Sequence, residues 1–104
     1  MVYTQPMIEI IQSEAFKSWL SYLKDKRAIA RIQMRLDRMA LGNPGDIKPI
    51  REGLSEMRID YGPGYRVYFL RRGSVCVVLL AGGDKHSQDA DIERAIAIAK
   101  DWND

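Results

Sequence analysis

Three side chains that could bind a phosphodiester lie on two neighbouring predicted strands. Arg58 is on the first strand, and Arg66 and Tyr68 are on the second. Because successive side chains of a strand point to opposite faces, Arg66 and Tyr68 share a face. A Gly-Pro-Gly turn at residues 62–64 would pair the two strands. This pairing would bring Arg58 to the same face, which we expect to point away from the helices.

The loop after the next predicted strand adds two groups that can carry charge or move a proton, Lys85 and His86. Arginine binds phosphate through paired hydrogen bonds, tyrosine stacks on bases, and lysine or histidine transfers protons. This set suits a phosphodiester. The candidate catalytic residues are therefore Arg58, Arg66, Lys85 and His86, and Tyr68 is a candidate RNA-binding residue. A plainer interpretation also stands, in which the strand face is only solvated and His86 is an ordinary loop residue.

A second basic surface is predicted on a helix earlier in the chain. Its arginines suit ribosomal RNA or an acidic partner segment, although such a face is often only solvated. We take Arg31 and Arg35 from this face, and Arg51 from the segment before the strands, as further RNA-binding candidates. The basic residues of the helix are Lys26, Arg27, Arg31, Arg35 and Arg38.

Hydrophobic spacing predicts the helices that support these residues. Residues 7–12 form a first strand, Ser13 caps a helix, and Asp25 caps a second helix that ends at Gly42 to Gly45. The apolar positions of the first helix are Phe16, Trp19, Leu20 and Leu23, and those of the second include Ile29, Ile32, Leu36 and Met39.

The rest of the chain is predicted to be a sheet followed by one helix. Residues 47–50 contain a proline and form an edge strand at best. Strands at 54–61, 65–71 and 75–80 follow, the last apolar throughout and therefore buried on both faces. Residues 89–102 form the final helix. The order β-α-α-β-β-β-α, with the edge strand added, predicts an α+β fold. In it, the αα-hairpin and the C-terminal helix pack on one face of a small, mainly antiparallel sheet.

Composition sets the class of protein. A length of 104 residues with 46% hydrophobic residues predicts one domain, 1–104, and the formal charge is +2. The only cysteine, Cys76, cannot form an internal disulfide, which favours a reducing, cytoplasmic location. Residues 1–6 are short and polar and do not indicate a signal peptide. One cysteine and one histidine exclude a zinc site of the usual kind.

The sequence from residue 53 to residue 69, GLSEMRIDYGPGYRVYF, contains a Glu-x-Arg strand followed by Gly-x-Gly-Tyr-Arg-x-Tyr. LAGGDK follows at 80–85 and QDADI at 88–92. Together these motifs resemble the HigB-like, phage-derived "addiction module killer" branch of the RelE/ParE toxin superfamily, over essentially the whole chain. The resemblance implies a fold like that of microbial ribonucleases. It also implies cleavage of mRNA in the ribosomal A site, without metal or other cofactor, by attack of the ribose 2′-hydroxyl.

The resemblance also implies roles for single residues. Arg66 matches the catalytic arginine that clamps phosphate and stabilises the transition state. Arg58 occupies the place of a basic catalytic or rRNA-contacting residue, and Lys85 matches the basic position after the last strand. His86 is assigned a proton transfer, and Tyr68 either stacks on a base or orients the 2′-hydroxyl.

Partners and rival functions follow from the same resemblance. The partner implied is a small helix-turn-helix antitoxin, besides the ribosome and mRNA. The C-terminus, residues 102–104, lacks the acid that relatives often carry there. Some relatives share the fold and inhibit DNA gyrase without cutting RNA, so a non-enzymatic ParE-like toxin is the alternative. A degenerate domain that only binds its antitoxin is the third possibility.

Overall fold

The computed structural model describes residues 7–102, in which two capped helices follow a short first strand. α1 spans Glu14–Tyr22 and α2 spans Lys26–Ala40. The Ser13 hydroxyl accepts a hydrogen bond from the Phe16 N–H at 3.0 Å, and Asp25 accepts from the N–H groups of two residues in the first turn of α2. Both predicted caps are therefore confirmed, since each satisfies N–H groups that a helix start leaves free.

Within residues 7–102, one sheet contains five strands: β1 (Glu9–Gln12), β2 (Ile47–Pro49), β3 (Ser55–Ile59), β4 (Tyr65–Arg72) and β5 (Cys76–Asp84). Their order across the sheet is β1-β5-β4-β3-β2. β1 pairs in parallel with β5, and every other neighbouring pair is antiparallel. β2 lies at the edge, as predicted from Pro49, which has no N–H to donate to a ladder.

The helices cover both faces of the sheet, and in this the expectation of a single helical face is wrong. Val67 and Val77 belong to the core that α1 and α2 form with the sheet. Tyr68 and Val78, which point the other way, belong to a second core with the final helix, α3 (Gln88–Lys100). The α+β class and the order of elements are as predicted. Burial of β5 on both faces is confirmed, and it is the reason that a second helical layer is needed.

The end of β5 lies in close contact with both helical layers. A side chain at Gly82 would overlap the Trp19 ring of α1, because its first carbon would lie 2.2 Å from the ring. A side chain at Gly83 would lie 1.8 Å from the carboxylate of Asp91 in α3. The Ser13 hydroxyl donates to the Leu80 carbonyl at 2.6 Å and so joins α1 to the same strand. Glycine is therefore required where the two layers approach β5.

Two short 3-10 turns, Arg51–Gly53 and Lys85–Ser87, complete the structure. None of the helices in the described range is long and apolar enough to cross a membrane. Residues 1–6, for which no signal peptide was expected, lie outside the described residues. So do residues 103 and 104, which belong to the C-terminal end that lacks the expected acid.

Candidate functional site

Three of the four candidate catalytic residues line one open cleft of about 460 Å³ at an end of the sheet. Arg58 and Arg66 are direct partners across β3 and β4, so the expected pairing through the Gly-Pro-Gly turn is confirmed. Lys85 follows β5 in the adjacent 3-10 turn. The rest of the lining is Asp46, Asp60, Gly62, Pro63 and Gly64.

Each arginine of the cleft has its own carboxylate. Like charges directly opposite on neighbouring strands repel each other. Arg58 donates to Asp46 at 2.9 Å, and Arg66 Nε lies 3.9 Å from a carboxylate oxygen of Glu56. The hydrogen bond from Arg58 lowers the pKa of Asp46, and the same contact raises the pKa of Arg58. An incoming phosphate would therefore compete with Asp46 for Arg58.

Arg66 is held more rigidly than Arg58. Its Nη1 donates to the carbonyls of Gly64 and Tyr65 at 3.1 and 3.2 Å, and only 13% of its side chain is exposed. The arginine therefore folds back on the turn that precedes it. Gly64 has φ +83°, and a side-chain carbon added there would lie 3.4 Å from Nη1 of Arg66, so the turn favours glycine beside the guanidinium.

Lys85 and His86 are presented by a turn that Asp84 caps. The Asp84 carboxylate accepts from the N–H groups of His86 and Ser87 at 2.8 and 3.3 Å. His86 Nδ1 lies 3.7 Å from the same carboxylate, and 85% of the side chain is exposed. His86 does not line the cleft, although it is adjacent in sequence to Lys85, which does. In this conformation His86 stands in solvent beside the cleft.

Tyr68 is not available to RNA, which corrects the expectation that it stacks on a base. The residue has no exposed surface and belongs to the core beneath α3. Within the described residues its hydroxyl has no hydrogen-bond partner, and burial raises its pKa well above the usual value. Strand alternation correctly placed Tyr68 on the face of Arg66, but α3 covers that part of the face.

The other RNA-binding candidates lie in different surroundings. Arg35 donates to the carbonyls of Arg58, Pro44 and Asp46, so it ties α2 to the sheet edge rather than projecting into solvent. Arg31 is exposed and its guanidinium lies 4.8 Å from the centre of the Tyr61 ring. Arg51 is paired with Glu93 of α3 and does not line the cleft.

A second, larger cavity of about 620 Å³ lies along α2. Its rim carries four arginines of this helix, and Ala30, Met34 and Ile59 contribute apolar surface. Asp60 lines both this groove and the cleft, so the two are neighbours. The basic face predicted for the second helix therefore continues towards the candidate site.

Two residues close to the site were missed as site residues in the sequence, and only one of them, Glu56, lies in a motif quoted above. Glu56 is buried, at 2% exposure, and accepts a hydrogen bond from the Gln88 side chain at 2.9 Å. A charged residue in a strand is ordinarily solvated, so only the fold shows that it is covered. Asp46, which pairs with Arg58, precedes the edge strand and carried no motif.

Comparisons with known proteins support the architecture. No family model matches the sequence. The E. coli toxin RelE, solved in the free state as a double arginine-to-alanine mutant, superposes with a TM-score of 0.62 at 12% identity. The alignment covers 85% of this chain and 97% of RelE. At this identity the likeness shows a shared fold.

A sequence relative is much closer. An uncharacterized protein of Haemophilus influenzae is 49% identical over 94 residues, which are 90% of this chain and 95% of the relative. Such identity over nearly the full length of both chains leaves no room for a different architecture. The chain belongs to the same protein family as this H. influenzae protein, and it has the RelE fold.

Proposed function

We propose that the chain is the toxin of a toxin–antitoxin pair, in the HigB-like branch, and that it cleaves mRNA on the ribosome in the cytoplasm. The observation that carries the proposal is the cleft that Arg58, Arg66 and Lys85 share on a RelE-like sheet. A solvated strand face has no need to gather three cations around one opening. The motifs at 53–69 and 80–92 support the assignment to this branch.

The chemistry needs positive charge and proton transfer. The ribose 2′-oxygen attacks the adjacent phosphorus and loses its proton to a base. The bond from phosphorus to the 5′-oxygen breaks, and an acid protonates that oxygen, leaving a 2′,3′-cyclic phosphate and a 5′-hydroxyl. Arg66 and Arg58 stabilise the charge on the phosphoryl oxygens, because fixed cations act most strongly where charge develops. Lys85 adds to this field, and His86, exposed beside the cleft, is the proposed proton-transfer group.

The proposed partners are the ribosome and a helix-turn-helix antitoxin. The arginine-rimmed groove along α2 is a suitable contact for ribosomal RNA, since cations there can neutralise backbone phosphates. Arg31 is exposed there and is proposed to contribute directly. Arg35, whose guanidinium is bound to three carbonyls, is proposed to support the groove.

The test is expression of wild-type protein, Arg66→Ala and Arg71→Ala in bacteria that lack the antitoxin, with growth and mRNA 5′-ends measured together. Arg71 is an exposed arginine of the same strand that does not line the cleft, so it is the matched control. We expect wild type and Arg71→Ala to stop growth and to produce new mRNA ends within reading frames. We expect Arg66→Ala to do neither.

The other outcomes are equally informative. Growth arrest without new mRNA ends would refute the ribonuclease and favour inhibition of DNA gyrase. Growth unaffected by wild-type protein would refute a toxin of either kind. Equal activity of Arg66→Ala and wild type would remove Arg66 from the site.

A further inference from the structure

Glu56 is a buried carboxylate that neither lines the cleft nor has a place in the proposed chemistry. Only 3% of its side chain is exposed. A buried carboxylate is costly unless it is paired or hydrogen-bonded. Its partners are the Gln88 side chain at 2.9 Å and Arg66 Nε at 3.9 Å. Such a carboxylate, placed between the first residue of α3 and the arginine of the cleft, calls for a role.

The contacts of Arg66 define that role. Its Nη1 is bound to two carbonyls of the turn, and its Nε is buried and faces Glu56. Restraints at both Nη1 and Nε limit rotation of the guanidinium about its long side chain. A catalytic cation is effective when it is held in the productive geometry before substrate arrives, because no reorganisation is then needed during the reaction.

We propose that Glu56 is the positioning residue of Arg66, fixing its guanidinium towards the cleft, and that Gln88 fixes Glu56. The inference rests on the proposed function, in which Arg66 clamps the phosphate. In this proposal, the glutamate of the Glu-x-Arg motif and Gln88 at the start of α3 act together to orient Arg66. The charge of the carboxylate is essential to it, because an amide of the same shape would attract the guanidinium less.

The test compares Glu56→Gln and Glu56→Asp with wild type and with Glu14→Gln. Glu14 is a glutamate of α1 that is 94% exposed and does not line the cleft, so its substitution removes the same charge outside the candidate site. The first measurement is the exchange of the Arg66 Nε–H with water by ¹⁵N NMR, with the peak assigned from an Arg66→Lys variant. We expect at least tenfold faster exchange in Glu56→Gln, and no change in Glu14→Gln. Exchange within twofold of wild type in Glu56→Gln would overturn the inference.

The second measurement is cleavage of mRNA on ribosomes, at a temperature well below the melting point of every variant. We expect Glu56→Gln to lower kcat about tenfold, while its affinity for a 2′-O-methyl RNA, which cannot be cleaved, changes less than threefold. Glu56→Asp keeps the carboxylate and should recover part of kcat. If kcat instead follows melting temperature and not the carboxylate, Glu56 has only a structural role and the inference fails. If wild type cleaves nothing, the proposed function fails, and the NMR measurement alone decides whether Glu56 positions Arg66.

Discussion

Replacing Lys85 by alanine should weaken the salt dependence of RNA binding, whereas replacing Lys100 should not. Lys85 lines the cleft, and Lys100 is the last residue of α3. Each substitution removes one positive charge and takes the formal net charge from +2 to 2 − 1 = +1. The pair therefore separates the position of a charge from the total charge of the protein.

The magnitude follows from the geometry of α3. The helix begins three residues after Lys85 and its 13 residues end at Lys100. With a rise of about 1.5 Å per residue, Lys100 lies roughly 18 Å from the start of the helix. This separation exceeds the Debye length of about 8 Å at physiological salt, so Lys100 is screened from a phosphate in the cleft. For a single strand, each neutralised phosphate contributes about 0.7 to the slope of log affinity against log salt.

The assay is fluorescence anisotropy with a labelled 2′-O-methyl RNA octamer between 50 and 200 mM salt. Salt lowers the affinity of wild type by some factor over this fourfold range. With one phosphate contact fewer, that factor should be about 2.6-fold smaller for Lys85→Ala. Lys100→Ala should match wild type. An equal change in both variants would mean that RNA responds only to net charge, and no change in either would mean that RNA does not enter the cleft.

Three further predictions concern the framework of the site. Ser13→Ala removes a buried helix cap and a buried hydrogen bond, so it should lower the free energy of unfolding by about 2 kcal/mol and Tm by roughly 8–16 °C. The control is Ser21→Ala, at an exposed position of α1, which should change the free energy of unfolding by less than about 0.5 kcal/mol. If calorimetry gave similar decreases in Tm for Ser13→Ala and Ser21→Ala, this prediction would be refuted. Tyr68→Phe removes an unpaired buried hydroxyl and should leave both Tm and 2′-O-methyl RNA affinity at or above wild type; a fivefold weaker affinity would restore Tyr68 to the site. Backbone hydrogen bonding, chiefly from the N–H of Ala28, lowers the pKa of Asp25, so its contribution to stability is present above about pH 4 and is lost as pH falls through the lower folded value. In urea denaturation at a series of pH values, the free energy of unfolding of Asp25→Asn should fall less steeply towards acid pH than that of wild type. The same steepness in both proteins would contradict the assignment.

The elements were predictable from the sequence because their signals are local. Ser13 and Asp25 mark helix starts in any context, and a proline at residue 49 excludes a central strand. Alternation along β3 and β4 also predicts that Arg58 and Arg66 lie together, as they do. These inferences need only neighbouring residues and the period of a strand.

What the sequence could not supply depends on how the layers pack. An apolar β5 requires cover on both faces, yet nothing in the spacing of α3 says which face it takes. Once α3 lies across the sheet, Tyr68 and Glu56 are buried, and a base-stacking candidate becomes part of the core. Asp46 precedes β2 and Arg58 lies in β3, so their pairing depends on the pairing of these two strands.

The parallel pairing of β1 with β5 determines how late in synthesis the sheet and its cleft can form. Glu9 pairs with Cys76, and the Ser13 hydroxyl bonds to a carbonyl 67 residues further along the chain. Contacts so distant in sequence form only after the later segment has been made. The cleft needs Lys85 as well, and the contact of Glu56 needs Gln88. A growing chain therefore lacks its cationic cleft until it is nearly complete.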